Sequence, residues 1–258
     1  MFMQKLNSQQ RRHAIICLLN EQGEVSVDQL ANRFATSEVT IRKDLSALEK
    51  NGLLLRRYGG AVCVPQELMQ APPETVPENK QNIAKAAAQL IRDHNRIIID
   101  SGSTTSALIQ ELNNKRGLLV MTNSLQLANA IRELENEPTL LMTGGTWDPH
   151  SESFQGQVAE QVLRSYDFDQ LFIGADGIDL ERGTTTFNEL TGLSKLMAEV
   201  SREVIVMVDS DKFGRRIHNL ELLWQQISVL VTDDRLAVHD VQKIKNQGVQ
   251  VILAPYSN

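Results

Sequence analysis

Residues 37–48 read SEVTIRKDLSAL, and the spacing inside them decides how the first part of the chain folds. Ile41, Leu45 and Leu48 recur at i, i+4 and i+7, the period of one helix face, and Ser37 stands where a side-chain oxygen caps a first turn. With that stripe turned inward, Glu38, Thr40, Arg42 and Lys43 are left on the outer side. The pattern continues in both directions. Upstream, Ala14, Ile15, Leu18 and Leu19 form a helical stripe stopped by Gly23. Val27, Leu30, Ala31 and Phe34 form a shorter one behind a capping Ser26. Downstream, Asn51-Gly52 ends the third helix, and the apolar runs 53–55 and 61–64 flank Arg56-Arg57-Tyr58-Gly59-Gly60 as two short strands about a glycine turn.

Helix, short helix, turn, helix and hairpin in about sixty residues is the layout of a winged helix-turn-helix, whose third helix enters the major groove of DNA. Arg42 then has the reach for a bidentate contact to guanine, and Ser37 and Thr40 suit a phosphate or a thymine methyl. Glu38 and Lys43 share that outer face. Arg56 and Arg57 lie in the wing, where the glycine turn brings backbone amides near phosphate. The same residues also read as an ordinary solvated helix face on a protein-contact module.

Charge supports the first reading. The chain of 258 residues carries a net charge of −6, but residues 1–64 hold nine Lys/Arg against six Asp/Glu, and residues 65–258 hold 17 against 26. A basic head precedes an acidic body, and attraction to phosphate follows the local field. Between them, four of the seven prolines (Pro65, Pro72, Pro73, Pro77) fall within residues 65–79, which reads as an interdomain linker. The expected division is a head over 1–64, the linker over 65–79 and a body over 80–258.

In the body, seven apolar runs each end in small polar residues: RIIIDSGS, LLVMTNS, TLLMTGG, LFIGADG, VIVMVDS, SVLVTDD and VQVILAP. Amphipathic stretches separate several of them (124–134, 189–201, 236–246), so the class is α/β with a mainly parallel sheet and helices on both faces. Ligands of such sheets bind beyond the C-terminal strand ends. The sharpest cluster there is Asp100, Ser101, Gly102, Ser103, Thr104 and Thr105, a hydroxyl-rich loop running into a helix start. It is neither a Walker A motif nor a dinucleotide fingerprint. Thr122, Asn123, Ser124, Gly144 and Gly145 add donors and close backbone approach. Asp176 adds a carboxylate for sugar hydroxyls, and Lys212 an ammonium for phosphate. Ser and Thr at such places also serve as plain helix caps.

Other chemistry finds little footing. His13, His94, His150, His218 and His239 show no paired spacing, so neither a metal nor a cofactor is expected. Two cysteines make no disulfide framework; Cys17 is expected in the core of the first helix, and Cys63 near the wing. No apolar run approaches bilayer length, and the N-terminus lacks a signal-type apolar region, so a soluble, cytoplasmic protein without membrane contact is expected.

From Arg12 to Ala61 the head resembles the N-terminal domain of the DeoR family of bacterial repressors. The matching pieces are Arg12, the helix-turn-helix over 25–44 with its Ser37-x-x-Thr40-Ile41-Arg42-Lys43-Asp44-Leu45 core, and the Arg57-Tyr58-Gly59-Gly60-Ala61 wing. Asp44 is a family position too, with a structural reading as ion-pair partner of a nearby basic residue. The body resembles the DeoR-type effector domain, related in fold to ribose 5-phosphate isomerases. This resemblance implies a repressor of a sugar or sugar-alcohol operon, and a homo-oligomer is expected because one head buries too little DNA for tight discrimination and paired heads on repeated half-sites multiply affinity. It would bind double-stranded operator DNA and be relieved by a sugar or polyol phosphate. The runs SFQGQVAE (153–160), FIGADGIDLERGTTTFNE (172–189) and DSDKFGRR (209–216) look most like the hexitol and amino-sugar branch, with its glucitol, galactitol and N-acetylgalactosamine repressors. Many relatives carry a basic residue after the paired glycines, where Thr146-Trp147-Asp148-Pro149-His150 stands here. Either the ligand is not phosphorylated, or its phosphate falls to the 101–105 loop and Lys212. Two rival readings stand beside the repressor. One is a sugar-phosphate isomerase using Asp100, Asp176, Asp209 and Lys212, although the lysine- and glycine-rich catalytic segment of those enzymes is not evident. The other is a sugar-binding module acting through a protein partner.

Overall fold

In the head, the apolar stripes form α1 (Ser8–Gln22), α2 (Val27–Arg33) and α3 (Glu38–Lys50). Ile15, Leu18, Leu19, Leu30, Ile41, Leu45 and Leu48 close into one buried cluster with Leu54 and Ala61. Ser26 caps α2, its Oγ accepting from Gln29 N at 3.3 Å, and Ser37 Oγ accepts from Thr40 N at 3.2 Å at the start of α3. The hairpin is β2 (Leu55–Arg57) and β3 (Gly60–Val62), and a third strand, β1 (Glu24–Ser26), pairs antiparallel with β3. These elements come from a computed structural model that describes residues 8–50, 53–63, 76–149, 151–188, 191–215 and 217–257. The chain divides into two units, Met1–Pro73 and Glu74–Asn258.

Two sequence expectations need correction. Cys17 is exposed, not a core residue, because Ile15, Leu18 and Leu19 turn the inner face of α1 away from it; its Sγ lies 3.8 Å from His13 Nε2 one turn back. The expected linker extends too far, since α4 (Glu78–Ala88) starts inside it. Pro77 sits at the N-cap with φ −53° and ψ 143°, and its carbonyl accepts from Lys80 N and Gln81 N at 3.0 and 3.2 Å. A proline there loses no helical hydrogen bond and pre-sets the entry. Most of the rest of that expected linker, residues 65–75, lies outside the described residues.

All seven apolar runs of the body become strands of one parallel sheet. In chain order these are β4 (Arg96–Ile99), β5 (Leu119–Thr122), β6 (Thr139–Met142), β9 (Phe168–Ile173), β12 (Ser201–Met207), β14 (Val229–Asp233) and β15 (Gln250–Ala254). Their order across the sheet is β15-β14-β12-β9-β4-β5-β6. Successive side chains alternate between two buried layers. Ile97, Ile99, Val120 and Met207 pack in one layer, which includes Ile83, Ala84 and Ala87 of α4. Ile98, Met121, Ile173 and Val206 pack in the other, with α8 (Gln157–Leu163), α9 (Gly192–Glu199) and α10 (Val238–Asn246). Burial on both faces explains why these strands read as continuous apolar runs. The short helices α5 (Ser103–Ser106) and α6 (Leu108–Glu111) follow β4, and α7 (Leu125–Arg132) follows β5, capped by Ser124. A hairpin of β7 (Thr146–Asp148) and β8 (Ser153–Gln155) follows β6. A separate antiparallel sheet, ordered β10-β11-β13, comprises β10 (Gly177–Asp179), β11 (Gly183–Thr186) and β13 (Asn219–Leu223).

The chain leaves β4 toward β5 and β6, then returns to β9 on the opposite flank of β4 and proceeds outward to β15. The winding direction therefore reverses between β4 and β9. In open α/β sheets, that reversal opens a crevice at the C-terminal strand ends. Asp100 follows β4 and Asp176 lies just beyond β9.

Candidate functional sites

In the head, α3 sorts its side chains as the stripe demands. Ile41, Leu45 and Leu48 are buried, while Glu38, Val39, Arg42 and Lys43 are exposed and Thr40 is half-buried. Arg42 Nη2 is held by Glu38 Oε2 at 2.9 Å one turn back, an exposed pair that water already screens. Glu38 thus holds Arg42 along the outer face of α3. Val39, 63 % exposed, was not singled out from the sequence, although an apolar side chain off the inner stripe was the signal. It offers a surface suited to a thymine methyl. Asp44 lies on the inner side and is almost fully buried. Its two oxygens accept from Arg11 Nε at 2.5 Å and Arg12 Nε at 2.9 Å, so it ties α3 to α1 and belongs to the scaffold of the reader.

The wing arginines are both engaged by carboxylates. Arg57 Nη1 lies 2.8 Å from Glu24 Oε2, and Arg56 Nη1 lies 3.7 Å from Glu49 Oε2. Tyr58 projects fully into solvent at the turn between them. Gly60 is required by close approach, because a Cβ there would sit 2.1 Å from the Val25 carbonyl oxygen across the β1–β3 pair.

In the body, the sheet reversal gathers part of the expected cluster. Asn123 Nδ2 donates to Asp100 Oδ1 at 2.7 Å, and Asn123 Oδ1 accepts from Ser101 N at 3.0 Å, locking the loop after β4 to the loop after β5. Ser101, Gly102 and Ser103 face outward from it. Burial pushes the Asp100 carboxyl up to about 6 against the hydrogen bonds from Asn123 and Ser101, with Asp176 adding repulsion. Asp176 is fixed by Thr186 Oγ1 at 2.8 Å and Phe187 N at 3.0 Å.

Several hydroxyls expected at this edge work inside the fold. Thr105 Oγ1 donates to the Asp100 and Gly102 carbonyls at 2.8 and 2.9 Å. Thr122 Oγ1 accepts from Ser124 N at 3.1 Å, and Ser124 Oγ caps α7. Thr104 is buried. Gly145 accommodates the hairpin, since a Cβ on it would lie 2.5 Å from the Gln155 carbonyl oxygen, while Gly144 beside it has open space.

Three residues that sequence reasoning passed over join the site. Lys80, from α4, donates to Ser103 Oγ at 2.8 Å. Asn79 donates to Asp209 Oδ1 at 2.7 Å. Burial raises the Asp209 carboxyl, while the ammoniums of Lys80 and Lys212 pull it down, so both lysines lie close enough to Asp209 to act on its charge. Glu221, on β13, is buried and accepts from Thr184 Oγ1 at 3.3 Å. Burial first, and then repulsion from Asp100 and Asp176, pushes its carboxyl up to about 8 against hydrogen bonds from Ser194 and Thr184. A charged type inside the apolar run LELLW was its signal. Among the described residues no three His, Cys, Asp or Glu side chains converge as a metal set, and no helix is long and apolar enough to cross a membrane.

Comparison with known proteins agrees with both halves. Residues 11–67 match the DeoR-like helix-turn-helix domain, and residues 75–234 match the DeoR C terminal sensor domain. The chain is 39 % identical over 251 residues to the putative aga operon transcriptional repressor of Escherichia coli O157:H7, covering 95 % of this chain and 93 % of that protein. It is 30 % identical over 250 residues to the glycerol-3-phosphate regulon repressor of Escherichia coli K12, covering 95 % and 98 %. Among solved structures, ribose 5-phosphate isomerase A of Methanocaldococcus jannaschii aligns with a TM-score of 0.39 and 21 % identity, over 53 % of this chain and 54 % of that one.

Proposed function

The chain belongs to the DeoR family of transcriptional regulators, and from that premise we propose a repressor of a sugar or sugar-alcohol catabolic operon, relieved by a phosphorylated sugar or polyol. The family is one of regulators and not of enzymes. The observation that carries the DNA-reading half is the partition of α3, with Ile41, Leu45 and Leu48 inward and Val39, Arg42 and Lys43 outward. In this reading Arg42, Val39 and Thr40 meet base edges. Ser37, Lys43, Arg56 and Arg57 meet phosphates, and Glu38 orients Arg42.

The effector is proposed to lie at the sheet reversal, with its hydroxyls toward Asp100, Asn123 and Asp176. Its phosphate would lie toward Ser101, Gly102, Ser103 and Lys212. The name of the relative for glycerol 3-phosphate, itself a phosphorylated polyol, supports this class of ligand. The runs over 153–160, 172–189 and 209–216 support the hexitol and amino-sugar branch. The protein would act in the cytoplasm as a homo-oligomer, because one head reads too little DNA for tight discrimination and paired heads multiply affinity.

The test is in-vitro selection of duplexes bound by the full-length protein at about 0.15 M salt, where distant charges are largely screened. A repeated motif is expected. Arg42→Ala should then weaken binding to it roughly 10- to 100-fold and relax one base position, the scale of a lost bidentate contact. Absence of any enriched motif with folded protein sinks the regulator reading. An unchanged preference in Arg42→Ala sinks the groove assignment.

A further inference from the structure

We propose that the first turn of α4, through Asn79 and Lys80, relays occupancy of the effector site to the segment that leads back toward the head. This inference rests on the proposed reading of that site. The rear of α4 is immobilised, since Ile83, Ala84 and Ala87 are wholly buried in the sheet's helical layer. Its front turn is held differently, by two polar side chains that reach two separate loops of the site. Asn79 Nδ2 donates to Asp209, just after β12, and Lys80 Nζ donates to Ser103 Oγ, just after β4. β9 lies between those strands, so one helical turn spans the crevice at the winding reversal. The same turn fixes the chain entering it. Gln81 Nε2 donates to the Val76 carbonyl at 2.8 Å, and Pro77 closes the turn through Lys80 N and Gln81 N.

The charges around the turn favour an anion as the trigger. Lys80 and Lys212 both act on Asp209. The neighbouring carboxylates are already engaged, with Asp233 and Asp211 bound to Arg235 at 3.0 and 3.1 Å. Lys80 Nζ donates to a neutral hydroxyl, that of Ser103. A phosphate arriving at Ser101–Ser103 offers charged oxygens instead, and an anionic oxygen adds a Coulombic attraction to the ammonium that a neutral hydroxyl does not supply. The ammonium therefore transfers to the phosphate and binds the front of α4 more tightly to the loop after β4. Because the rear of the helix is fixed, the change is confined to residues 76–81, immediately downstream of the proline-bearing segment. A ligand that alters this turn differs in affinity between two arrangements of it, as any coupling requires.

Hydrogen exchange of the full-length protein, with and without millimolar inorganic phosphate, tests the relay. Wild-type protein should show exchange slowed about threefold or more in peptides covering 101–106 and in those covering 76–82. In Lys80→Gln, with phosphate raised until the 101–106 protection equals that of the wild type, the response at 76–82 should vanish. Lys80→Arg should retain it, and so should Lys85→Gln, which removes an exposed charge farther along the same helix. Protection at 101–106 without any change at 76–82 in wild-type protein overturns the relay and leaves the effector site standing. An undiminished response at 76–82 in Lys80→Gln overturns the role of Lys80. No protection at 101–106 in wild-type protein overturns the phosphate site and the relay together.

Discussion

Replacing Glu221 by Gln should stabilise the body at high pH and do little at low pH. The carboxyl is buried on β13 among Thr184, Asp100 and Asp176, and is pushed from 4.5 up to about 8. A folded-state value above the unfolded one means that the native state holds the proton more firmly. That contribution to stability is fully present below pH 4.5 and is lost as pH rises through 8. Between pH 5.5 and 8.5 the loss works out at roughly 3 kcal/mol, from 1.36 kcal/mol per pH unit over the interval in which only the unfolded chain ionises. Glutamine keeps the shape and an oxygen to accept from Thr184 Oγ1, but carries no titrating proton.

The assay follows from the composition. Both tryptophans, Trp147 and Trp224, lie in the second unit, and Trp224 is buried, so selectively excited tryptophan fluorescence during urea unfolding reports that unit alone. The expected result is a wild-type stability that falls with pH by about 2–4 kcal/mol over this range, the lower end allowing for relaxation around the charge. The Glu221→Gln stability should be nearly level. Asp100, raised to about 6, adds a smaller decline concentrated below pH 6.5 in both proteins. If the difference between the two proteins were the same at pH 5.5 and 8.5, Glu221 would not titrate in that window. The picture of mutually repelling carboxyls at the sheet reversal would then be wrong.

Three further outcomes follow from single contacts. Gly60→Ala would force a Cβ to within 2.1 Å of the Val25 carbonyl oxygen, so the β1–β3 pair must open. A loss of more than about 2 kcal/mol in head stability is expected by circular dichroism, and an unchanged melting curve refutes the close approach. Asp44→Ala removes the buried acceptor of Arg11 and Arg12 and should cost the head roughly 2–4 kcal/mol. A triple variant that also replaces Arg11 and Arg12 should recover part of that loss, whereas strict additivity would deny the coupling. Ser103→Glu places a carboxylate against the proposed phosphate position, so selected DNA should still bind while millimolar sugar phosphate no longer releases it; intact release removes that loop from the site.

The legible and illegible parts of the fold separate by where the deciding contacts lie. RIIID, LLVMT and VIVMV are strands buried on both faces, so each declares itself by its own composition. β1 is only Glu24–Ser26 and exists through pairing with β3, with Glu24 opposite Val62 nearly forty residues on. Nothing local in EVS specifies it. α4 was hidden for the opposite reason. Its sequence ENKQNIAKAAA is a strong helix former, but the four prolines before it read as a barrier, whereas Pro77 is the N-cap at which the helix begins.

The site shows the same division at finer scale. Chemistry-bearing residues at strand ends are placed by the parallel sheet, so Asp100, Ser101, Asn123 and Asp176 converge as their positions in the chain suggest. Which hydroxyls remain available to a ligand is settled elsewhere. Thr105, Thr122 and Ser124 differ little in sequence context from Ser101 and Ser103, yet their oxygens are engaged by carbonyls and amides within their own loops. Conversely, Lys80 reaches Ser103 from 23 positions upstream, and Glu221 on the second sheet feels the charge of Asp100. Each depends on a three-dimensional neighbour that no periodicity encodes. A local pattern therefore identifies the strand-end edge at which the effector is proposed to bind. The chemistry of that edge, with two lysines and a proton-retaining carboxyl, emerges only when α4 and β13 are laid against it.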